Sequence, residues 1–229
     1  MSLTPYSTAL IIGAGNGISA ASARVFHAAG MKVALAARST AKLAPLATEI
    51  GAATFSTDAA EPKSVETLFA DVEAAIGVPD VVLYNPGARA PGPLTDIEPE
   101  DVRRAIEVCA FGGFLAVQQA ARRMIPRGFG AILLTGASAS VRGFPQSGAF
   151  AMGKFALRGL AQSAARELSP RGIHVAHVLI DGGVSKQEPN PGETLLSSES
   201  IAGVFLDLLR QPRDAWTLEM DLRPWVETF

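Results

Sequence analysis

Three glycines at alternate positions, Gly13, Gly15 and Gly17, follow the short apolar run Thr8–Ile12. Apolar residues then recur at helical spacing among alanines, so the glycines stand between a predicted strand and a predicted helix. Glycine lets the backbone turn sharply and approach a pyrophosphate, whose charge is stabilised by free N–H groups and the positive end of the helix. A flexible turn without a ligand would use the same residue type. The strand before and the helix after favour nucleotide binding.

The second apolar run, Lys32–Ala37, indicates which dinucleotide the chain would take. NAD sites usually carry Asp or Glu at the end of this strand, where the carboxylate accepts from the ribose 2′-hydroxyl. Here the run contains no acid, and Arg38 and Ser39 follow it. The guanidinium of Arg38 could pair with a 2′-phosphate, or it could be an ordinary solvated side chain at a helix start. We therefore predict NADP, with NAD the less favoured cofactor.

Short apolar runs alternate with helical patterns along the whole chain. Runs of this kind are typical of strands covered on both faces, and their alternation with helices predicts a doubly wound parallel sheet of the α/β class. We expect one Rossmann-like domain over residues 1–229, with about seven strands and helices on both faces. The predicted strands are 8–12, 32–37, 52–57, 80–84, 131–135, 173–180 and 215–222. The predicted helices are 18–30, 41–50, 63–76, 99–125, 147–169 and 197–210.

The composition limits the partners and the location. Twenty Lys and Arg against 22 Asp and Glu give a net charge of −2, so no cationic field would attract nucleic acid or anionic lipid. The charged fraction of 18% is below the usual ~25%, which suggests that other subunits cover part of the surface. A single cysteine, Cys109, excludes an intrachain disulfide and a thiolate zinc site, and we predict no metal. Without an apolar run of ~20 residues or a signal-peptide pattern, we expect a cytoplasmic protein.

Five sets of residues along the chain form a recognisable series: 12–19 (IGAGNGIS), 58–59 (DA), 84–87 (YNPG), 150–154 (FAMGK), and 172–175 (GIHV) with 181–183 (DGG). In this order they resemble the motifs of the short-chain dehydrogenase/reductase family, almost from end to end. The similar motifs are its glycine turn, its adenine contact, Asn-Asn-Ala-Gly, Tyr-x-x-x-Lys, and the strand leading to a Pro-Gly turn. Several of the motifs are degenerate, but their order and spacing together are specific.

The resemblance implies a set of cofactor contacts. The glycine turn would hold the phosphates, the 58–59 pair the adenine, and a lysine the nicotinamide ribose. A serine corresponds to the family's Thr that touches the carboxamide and phosphates. Carried over residue by residue, the set is Gly13, Gly15, Asn16, Gly17, Ile18, Arg38, Ser39, Asp58, Ala59, Asn85, Gly87, Lys154 and Ser185.

The family's reaction, hydride transfer between a nicotinamide and a carbonyl or alcohol, uses Tyr, Lys, Ser and Asn. Counting back from Lys154, the Tyr position holds Phe150 and the Ser position holds Ala137. The Asn position holds Cys109. A phenyl ring has no proton to give, so the resemblance predicts that the usual mechanism cannot operate and that Lys154 alone remains of the four.

Other side chains could take over part of the chemistry. Ser138 could hold a substrate oxygen, although its offset by one residue turns it away. Asp181, at the carboxyl end of a predicted strand, could pair with Lys154, face a substrate, or cap its own turn. Tyr84 could be catalytic, but a strand aromatic is more often packing. A water held by Lys154 and Asn85 is a further candidate proton donor.

Two functions stay open from the sequence. One is an NADP(H)-dependent oxidoreductase with weak or atypical activity on an unidentified small molecule, and the other is a non-catalytic NADP(H) sensor or regulatory partner. Small residues fill 147–168, where the family pairs helices across a two-fold axis, so we expect a homodimer or homotetramer. The segment 184–196, where the family builds its substrate lid, is short and predicts an open or small pocket.

Overall fold

The computed structural model describes residues 4–185 and 191–227 of the chain. Within them, seven parallel strands form one sheet in the order β3-β2-β1-β4-β5-β6-β7. The strands are Thr8–Ile12 (β1), Lys32–Ala37 (β2), Ala53–Ser56 (β3), Val81–Tyr84 (β4), Gly130–Thr135 (β5), Ile173–Ile180 (β6) and Glu219–Leu222 (β7). The predicted parallel α/β sheet is confirmed.

Helices connect successive strands and cover both faces of the sheet. They are Ile18–Ala28 (α1), Ala44–Ile50 (α2), Pro62–Ile76 (α3), Pro99–Ile106 (α4), Gly112–Met124 (α5), Gly148–Leu168 (α6) and Ser198–Arg210 (α7). Among the described residues, none of these helices has the length and apolar character needed to cross a membrane.

Strand residues alternate between two hydrophobic cores, one on each side of the sheet. In β1, Ala9 and Ile11 face the core shared with α1, α2 and α7, whereas Leu10 and Ile12 face the core shared with α3, α5 and α6. All four are fully buried. Because both faces are covered, the strand sequence is continuously apolar rather than alternating in polarity.

The order of the sheet reverses between β1 and β4, which are neighbours although two strands separate them along the chain. In open α/β sheets, ligands bind in the crevice outside the carboxyl ends of the strands at such a reversal. Gly13 lies at that point with φ +83°, and a Cβ added to it would lie 2.6 Å from the backbone nitrogen of Pro86. Glycine is therefore required there for both its backbone angle and its close approach to the next strand.

Two predicted elements differ from the structure. The single helix predicted over 99–125 is interrupted by a π-helical turn at Glu107–Phe111, between α4 and α5. The last strand begins at Glu219 rather than at residue 215, because Arg213–Ala215 forms a 3₁₀ turn before it. Both differences follow from tertiary packing, which overrides a local apolar pattern.

Candidate nucleotide-binding and catalytic site

A cavity of about 760 Å³ opens at the carboxyl ends of β1, β2 and β4. It is lined by nine of the predicted cofactor residues: Gly13, Gly15, Asn16, Arg38, Ser39, Asp58, Ala59, Asn85 and Gly87. Its other lining residues, which were not predicted, are Ile12, Ala14, Ala37, Lys42, Thr57, Pro86, Ala88, Arg104 and Val108. The site therefore lies where the reversal of strand order predicts it.

The glycine turn presents backbone rather than side chains to this cavity. An added Cβ at Gly15 would meet no described atom within 4 Å, so a side chain there would occupy space that the turn leaves open. Gly17 caps α1, no side chain bonds to the first turn of that helix, and no acid lies in that turn. The free N–H groups and the positive end of α1 are thus available to a phosphate.

Ser19 and Asn85 hold the glycine turn in place. The hydroxyl of Ser19 donates to the carbonyl of Gly13 at 2.9 Å and accepts from Nδ2 of Asn85 at 2.8 Å. The backbone N–H of Asn85 donates to the carbonyl of Ile12 at 3.0 Å. The amide of Asn85 is therefore committed to fixing the turn, on the side of the cavity where the nucleotide would lie.

Two exposed cations stand beyond the end of β2. Arg38 and Lys42 both line the cavity, together with Ser39. The sequence reasoning found Arg38 and missed Lys42, which follows it by four residues at the start of the next helical segment. The short distance of Lys42 from the end of β2 along the chain was the sequence signal that could have identified this residue. Two positive charges and a hydroxyl with no acid among them suit a phosphate better than a ribose hydroxyl.

Asp58, which follows β3, also lines the cavity. Its Oδ1 accepts from the N–H of Ala60 at 3.0 Å, and its Oδ2 forms an ion pair with Arg104 at 2.6 Å. Burial raises the pKa of Asp58, but the hydrogen bonds from Ala60 and Arg104 and the charges of Arg104 and Arg38 outweigh it, so the net pKa is lowered. Arg104 comes from α4, 46 residues further along the chain, so no local pattern pointed to it.

Lys154 lies in α6, behind the residues that line the cavity, with only 4% of its surface exposed. Its ammonium donates to the carbonyl of Thr135 at 2.7 Å and to that of Pro86 at 3.5 Å. Burial lowers the pKa of Lys154, and the positive charge of Arg89 lowers it further. The lysine thus ties the ends of β4 and β5 together, beside the residues that line the cavity.

Phe150 is 7% exposed and packs with Cys109, Ala137, Ala139 and Ala151 in a small apolar cluster. Its ring centroid lies 5.7 Å from the ammonium nitrogen of Lys154. Phe150, Cys109 and Ala137, which the resemblance assigned to the Tyr, Asn and Ser positions, thus lie in one cluster.

The guanidinium of Arg89 covers the outer side of this cluster. Its Cζ lies 4.2 Å from the centroid of the Phe150 ring, and Arg89 itself is exposed. The sequence reasoning did not consider Arg89, although it follows Gly87 by two residues and so belongs to the same loop after β4. The contact places a permanent positive charge against the residue at the expected proton-donor position.

Asp181 does not pair with Lys154, so that alternative was wrong. Its carboxylate oxygens bind Arg142 at 2.8 Å and Arg223 at 2.5 Å, and Ser138 also hydrogen-bonds to it. Burial raises the pKa of Asp181, but the Ser138 and Arg223 hydrogen bonds and the two arginine charges outweigh it and lower the net pKa. Asp181 is therefore held ionised, and the Ser138 hydroxyl is engaged with it.

Tyr84 and Cys109 are both used inside the protein. The hydroxyl of Tyr84 donates to the carbonyl of Val108 at 2.5 Å, in the π-helical turn, and burial raises the pKa of Tyr84 far above its usual value. Cys109 is fully buried, and its thiol donates to the carbonyl of Ala88 at 3.6 Å. Tyr84 is thus a packing residue that satisfies a carbonyl of the π-helical turn.

The remaining predicted cofactor residues are not among the side chains that line the cavity. Gly17 and Ile18 begin α1 just behind the glycine turn. Ser185 follows β6, and its N–H donates to the carbonyl of Leu196 at 2.8 Å. The centre of the predicted lid, 186–190, lies outside the described residues. In the described part of the chain, no group of three or more His, Cys, Asp or Glu could hold a metal ion.

Comparisons with known proteins agree with this arrangement. A family model described as enoyl-(acyl carrier protein) reductase matches residues 13–185. The 2,5-dichloro-2,5-cyclohexadiene-1,4-diol dehydrogenase of Sphingobium indicum is 33% identical over 77% of this chain and 72% of its own length. The L-2,3-butanediol dehydrogenase of Corynebacterium glutamicum is 32% identical over 50% of this chain, and the match spans only 45% of that protein.

Solved structures extend the likeness to the whole fold. A short-chain dehydrogenase from Rhodopseudomonas palustris is 36% identical with a TM-score of 0.84, over 96% of this chain and 99% of its own. A metagenomic short-chain oxidoreductase in complex with NADP is 28% identical with a TM-score of 0.86, over 99% of this chain and 100% of its own. An alcohol dehydrogenase from Thermococcus sibiricus, complexed with 5-hydroxy-NADP, has a TM-score of 0.87 at 27% identity, over 97% of this chain and 98% of its own. The chain belongs to the short-chain dehydrogenase/reductase family of oxidoreductases.

Proposed function

We propose that the protein is an NADP(H)-dependent oxidoreductase that transfers hydride between the nicotinamide and a carbonyl or alcohol of a small molecule. One observation carries the cofactor assignment: the cavity joins a bare glycine turn to Arg38, Ser39 and Lys42, with no acid at the end of β2. Two structural relatives of this chain are NADP complexes, which supports the same cofactor.

The residues around the cavity have separate tasks in this proposal. The N–H groups at the start of α1 would bind the pyrophosphate, and Arg38 with Lys42 would bind the 2′-phosphate. When bound, the cofactor supplies or accepts the hydride. Lys154 would position the nicotinamide ribose, because its two carbonyl bonds fix it beside Pro86 in the cavity wall.

The proton is the unusual part of the reaction. Phe150 stands four residues before Lys154 on α6, and we infer that it occupies the position of the family's Tyr. Ala137 and Cys109, both packed on Phe150, would occupy those of the Ser and Asn. Loss of a positioned general acid costs typically ~10²–10⁴ in rate, so reduction of ordinary ketones should be slow.

The cofactor assignment is tested by measuring dissociation constants for NADPH and NADH at one fixed salt concentration. We expect NADPH to bind more tightly, because the 2′-phosphate meets the two cations. Equal affinities, or tighter binding of NADH, would contradict the assignment of Arg38 and Lys42.

A second function, a non-catalytic NADP(H) sensor, is favoured by one observation. The side chains that could replace the Tyr already have partners: Tyr84 bonds to Val108, and Ser138 and two arginines bond to Asp181. Lys154 donates to two backbone carbonyls, and Asn85 donates to Ser19. A sensor would bind NADPH with the affinity pattern above and reduce no acceptor. Restoring the family's residues at positions 150 and 137 separates the two functions, as described in the Discussion.

We also propose a homo-oligomer that pairs through α5 and α6. Phe111, Phe114, Met152 and Phe155 are exposed on these two helices and the adjoining π-helical turn, and apolar surface of this kind is typical of subunit contacts. Sedimentation at micromolar concentration should show a dimer or tetramer. A species of 23.8 kDa alone would refute the pairing.

Two glycines of α6 allow a matched pair of variants for this test. Gly159 is exposed, and an added Cβ there meets no described atom within 4 Å, whereas at Gly153 it would lie 2.7 Å from Cβ of Cys109. Gly159→Leu should therefore change the oligomer and leave the fold stable. Gly153→Leu should destabilise the fold itself, by ~1–3 kcal/mol or more.

A further inference from the structure

Arg89 is held in a fixed position beside the expected catalytic centre. The next residue, Ala90, is buried in a small cluster with Ala105 and Ala149, which belong to α4 and α6. Further along the same loop, the N–H of Gly92 donates to the carbonyl of Gln146 at 3.2 Å. The backbone around Arg89 is therefore attached to the start of α6, the helix that carries Phe150.

The guanidinium of Arg89 stacks on Phe150 and keeps its N–H groups free. A guanidinium that stacks on a ring through its face still presents its donors along the edge. Among residues 4–185 and 191–227, no acidic side chain pairs with Arg89. Asp181, which directly follows β6, has both oxygens bound to other arginines. Arg89 is thus a cation with unused donors at the edge of the site.

The groups around Arg89 that carry exchangeable protons are already engaged or cannot release them. Arginine does not deprotonate in proteins, and Phe150 has no acidic hydrogen. The ammonium of Lys154 donates to the carbonyls of Thr135 and Pro86, and the amide of Asn85 donates to Ser19. The hydroxyl of Tyr84 donates to Val108, Asp181 is ionised between arginines, and Cys109 is fully buried. The site can therefore stabilise a negative oxygen but cannot neutralise it at the moment of hydride transfer.

A cation without a neighbouring proton donor favours some hydride acceptors over others. Hydride addition to a ketone forms an alkoxide. An alkoxide is about as basic as hydroxide, whose conjugate acid, water, has a pKa near ~15.7. Hydride addition to a quinone forms a hydroquinone monoanion, a phenolate whose conjugate acid titrates near ~10, like tyrosine. The phenolate can leave the site as an anion and take its proton from water afterwards, so it needs a cation and no positioned acid.

We propose that Arg89 stabilises the oxyanion formed on hydride transfer, and that the acceptors of this protein are quinones. The inference rests on the proposed NADPH-dependent function. In the step, the hydride and its two electrons move from NADPH to the quinone, giving NADP⁺ and the hydroquinone monoanion beside Arg89. Water then supplies the one proton that completes the hydroquinone.

The test compares three acceptors with NADPH at neutral pH, after subtraction of the rate without protein. Menadione is a neutral quinone, cyclohexanone a neutral ketone, and pyruvate a ketone that already carries a carboxylate. We expect NADPH oxidation with menadione and little or none with the other two. No turnover of menadione, or faster turnover of cyclohexanone, overturns the inference.

Variants of Arg89 identify its role. Arg89→Gln should lower kcat for menadione by ~10²–10³-fold, the usual loss of one oxyanion donor, and leave the dissociation constant of NADPH unchanged. Arg89→Lys should recover part of the rate, because it restores the charge. Arg171→Gln removes an equally exposed arginine at the amino end of β6, across the sheet from the site, and should change nothing.

The remaining outcomes of these experiments also test the role of Arg89. Full activity of Arg89→Gln with menadione overturns the inference. A preference for pyruvate, with its KM raised in Arg89→Gln, overturns it as well and makes Arg89 an anchor for a substrate carboxylate. Either result leaves the proposed function intact when wild-type protein still binds NADPH and oxidises it with some acceptor. Failure to bind NADPH at all refutes the proposed function and the inference together.

Discussion

The carboxyl ends of the strands form one edge of the sheet, and polar groups at the two ends of this edge have different partners. At the nucleotide end, formed by residues 13–17, 38–42 and 58, backbone N–H groups and cations face an open cavity. At the catalytic end, formed by Phe150, Lys154 and Asp181, apolar side chains pack together and the charged groups bind one another or the backbone. The first end is prepared for a ligand, whereas the second has paired its charged groups internally, with the exception of Arg89.

This difference shows which functions can be separated in one fold. In the proposed function, the binding energy for a dinucleotide would come from the strand ends and the start of α1, and Phe150 is not among the residues that line that cavity. Proton transfer depends on a few hydroxyl groups whose replacement by Phe or Ala keeps the packing intact. Under the proposed function, this chain would have lost the usual proton donor and kept its cofactor site, and the predictions below test that separation.

The largest effect is expected from restoring the family's residues with Phe150→Tyr and Ala137→Ser together. A tyrosine hydroxyl near the Lys154 ammonium would again have a partner that stabilises its ionised form. Reduction of a simple ketone with NADPH should rise by ~10²–10⁴-fold, and a pH dependence governed by a Tyr–Lys pair should appear. Steady-state rates across a broad pH range measure both.

The single variant Ala137→Ser is the control, since it restores a hydroxyl without a proton donor. We expect it to gain little. If the double variant also gains nothing while it binds NADPH and stays folded, the catalytic end has lost more than its donor. The non-catalytic sensor would then be the better function.

Much of the fold was predictable because it follows from continuous local patterns. Apolar runs gave the strands, and the glycine turn gave the position of the nucleotide end. The π-helical turn at Glu107–Phe111 was not predictable, because it depends on Tyr84 reaching the carbonyl of Val108 from another element. The sequence carries no local sign of such a bond.

The candidate site was predictable where it depends on the chain order and not where distant residues meet. Arg38 follows its strand directly, so its position could be derived from the sequence. Asp181 meets Arg142 and Arg223, which are 39 and 42 residues away, and this pairing replaced the predicted contact with Lys154. Long-range ion pairs are decided by the packing of loops, which local spacing does not encode.

Lys154 connects the two ends, and removing it should affect both. In Lys154→Ala the buried carbonyls of Thr135 and Pro86 lose a charged donor, so the free energy of unfolding should fall by ~1.5–3 kcal/mol. NADPH binding should weaken even without turnover, because the cavity wall at Pro86 is no longer held. Urea unfolding and NADPH titration measure the two effects.

A second variant, Lys154→Met, keeps most of the side-chain volume and removes the charge. It should weaken NADPH binding as much as Lys154→Ala does. The free energy of unfolding should fall less, because methionine leaves a smaller cavity than alanine. Unchanged NADPH affinity in both variants would show that the nucleotide end does not depend on this lysine.

A smaller and more selective effect is expected from Arg38→Ala. Loss of one charge-assisted contact should weaken NADPH by ~1–3 kcal/mol and leave NADH nearly unchanged. The difference should shrink at high salt, because Arg38 is exposed and its charge is screened. Arg171→Ala is the matched control, and an equal loss for both nucleotides in Arg38→Ala would mean that this arginine does not bind the 2′-phosphate.

The smallest effect concerns pH, and it arises from two buried histidines of β6. Burial lowers the pKa of His174 and of His177, although a backbone carbonyl and Glu219, respectively, act against it. In each ring, one nitrogen is buried without a hydrogen-bond partner among the described residues. Protonation would therefore place a charge and an unpaired donor inside the protein.

Stability should decrease as the pH falls below ~6.5, the pKa of an unfolded histidine, because the unfolded chain then binds more protons than the folded one. The paired carboxylates Asp58 and Asp181 also have lowered pKa values, so their contribution is lost only below about pH 3.8. Between these limits, the loss should come from the two histidines of β6. Urea unfolding from pH 7.5 to 5 should give a shallower slope for His177→Gln than for wild type, with exposed His27→Gln as control. Equal slopes in all three proteins would show that His177 does not cause the acid sensitivity. Faster hydrogen exchange at low pH in β1 and β2 than in β6 would show that the nucleotide end, and not β6, loses its stability first.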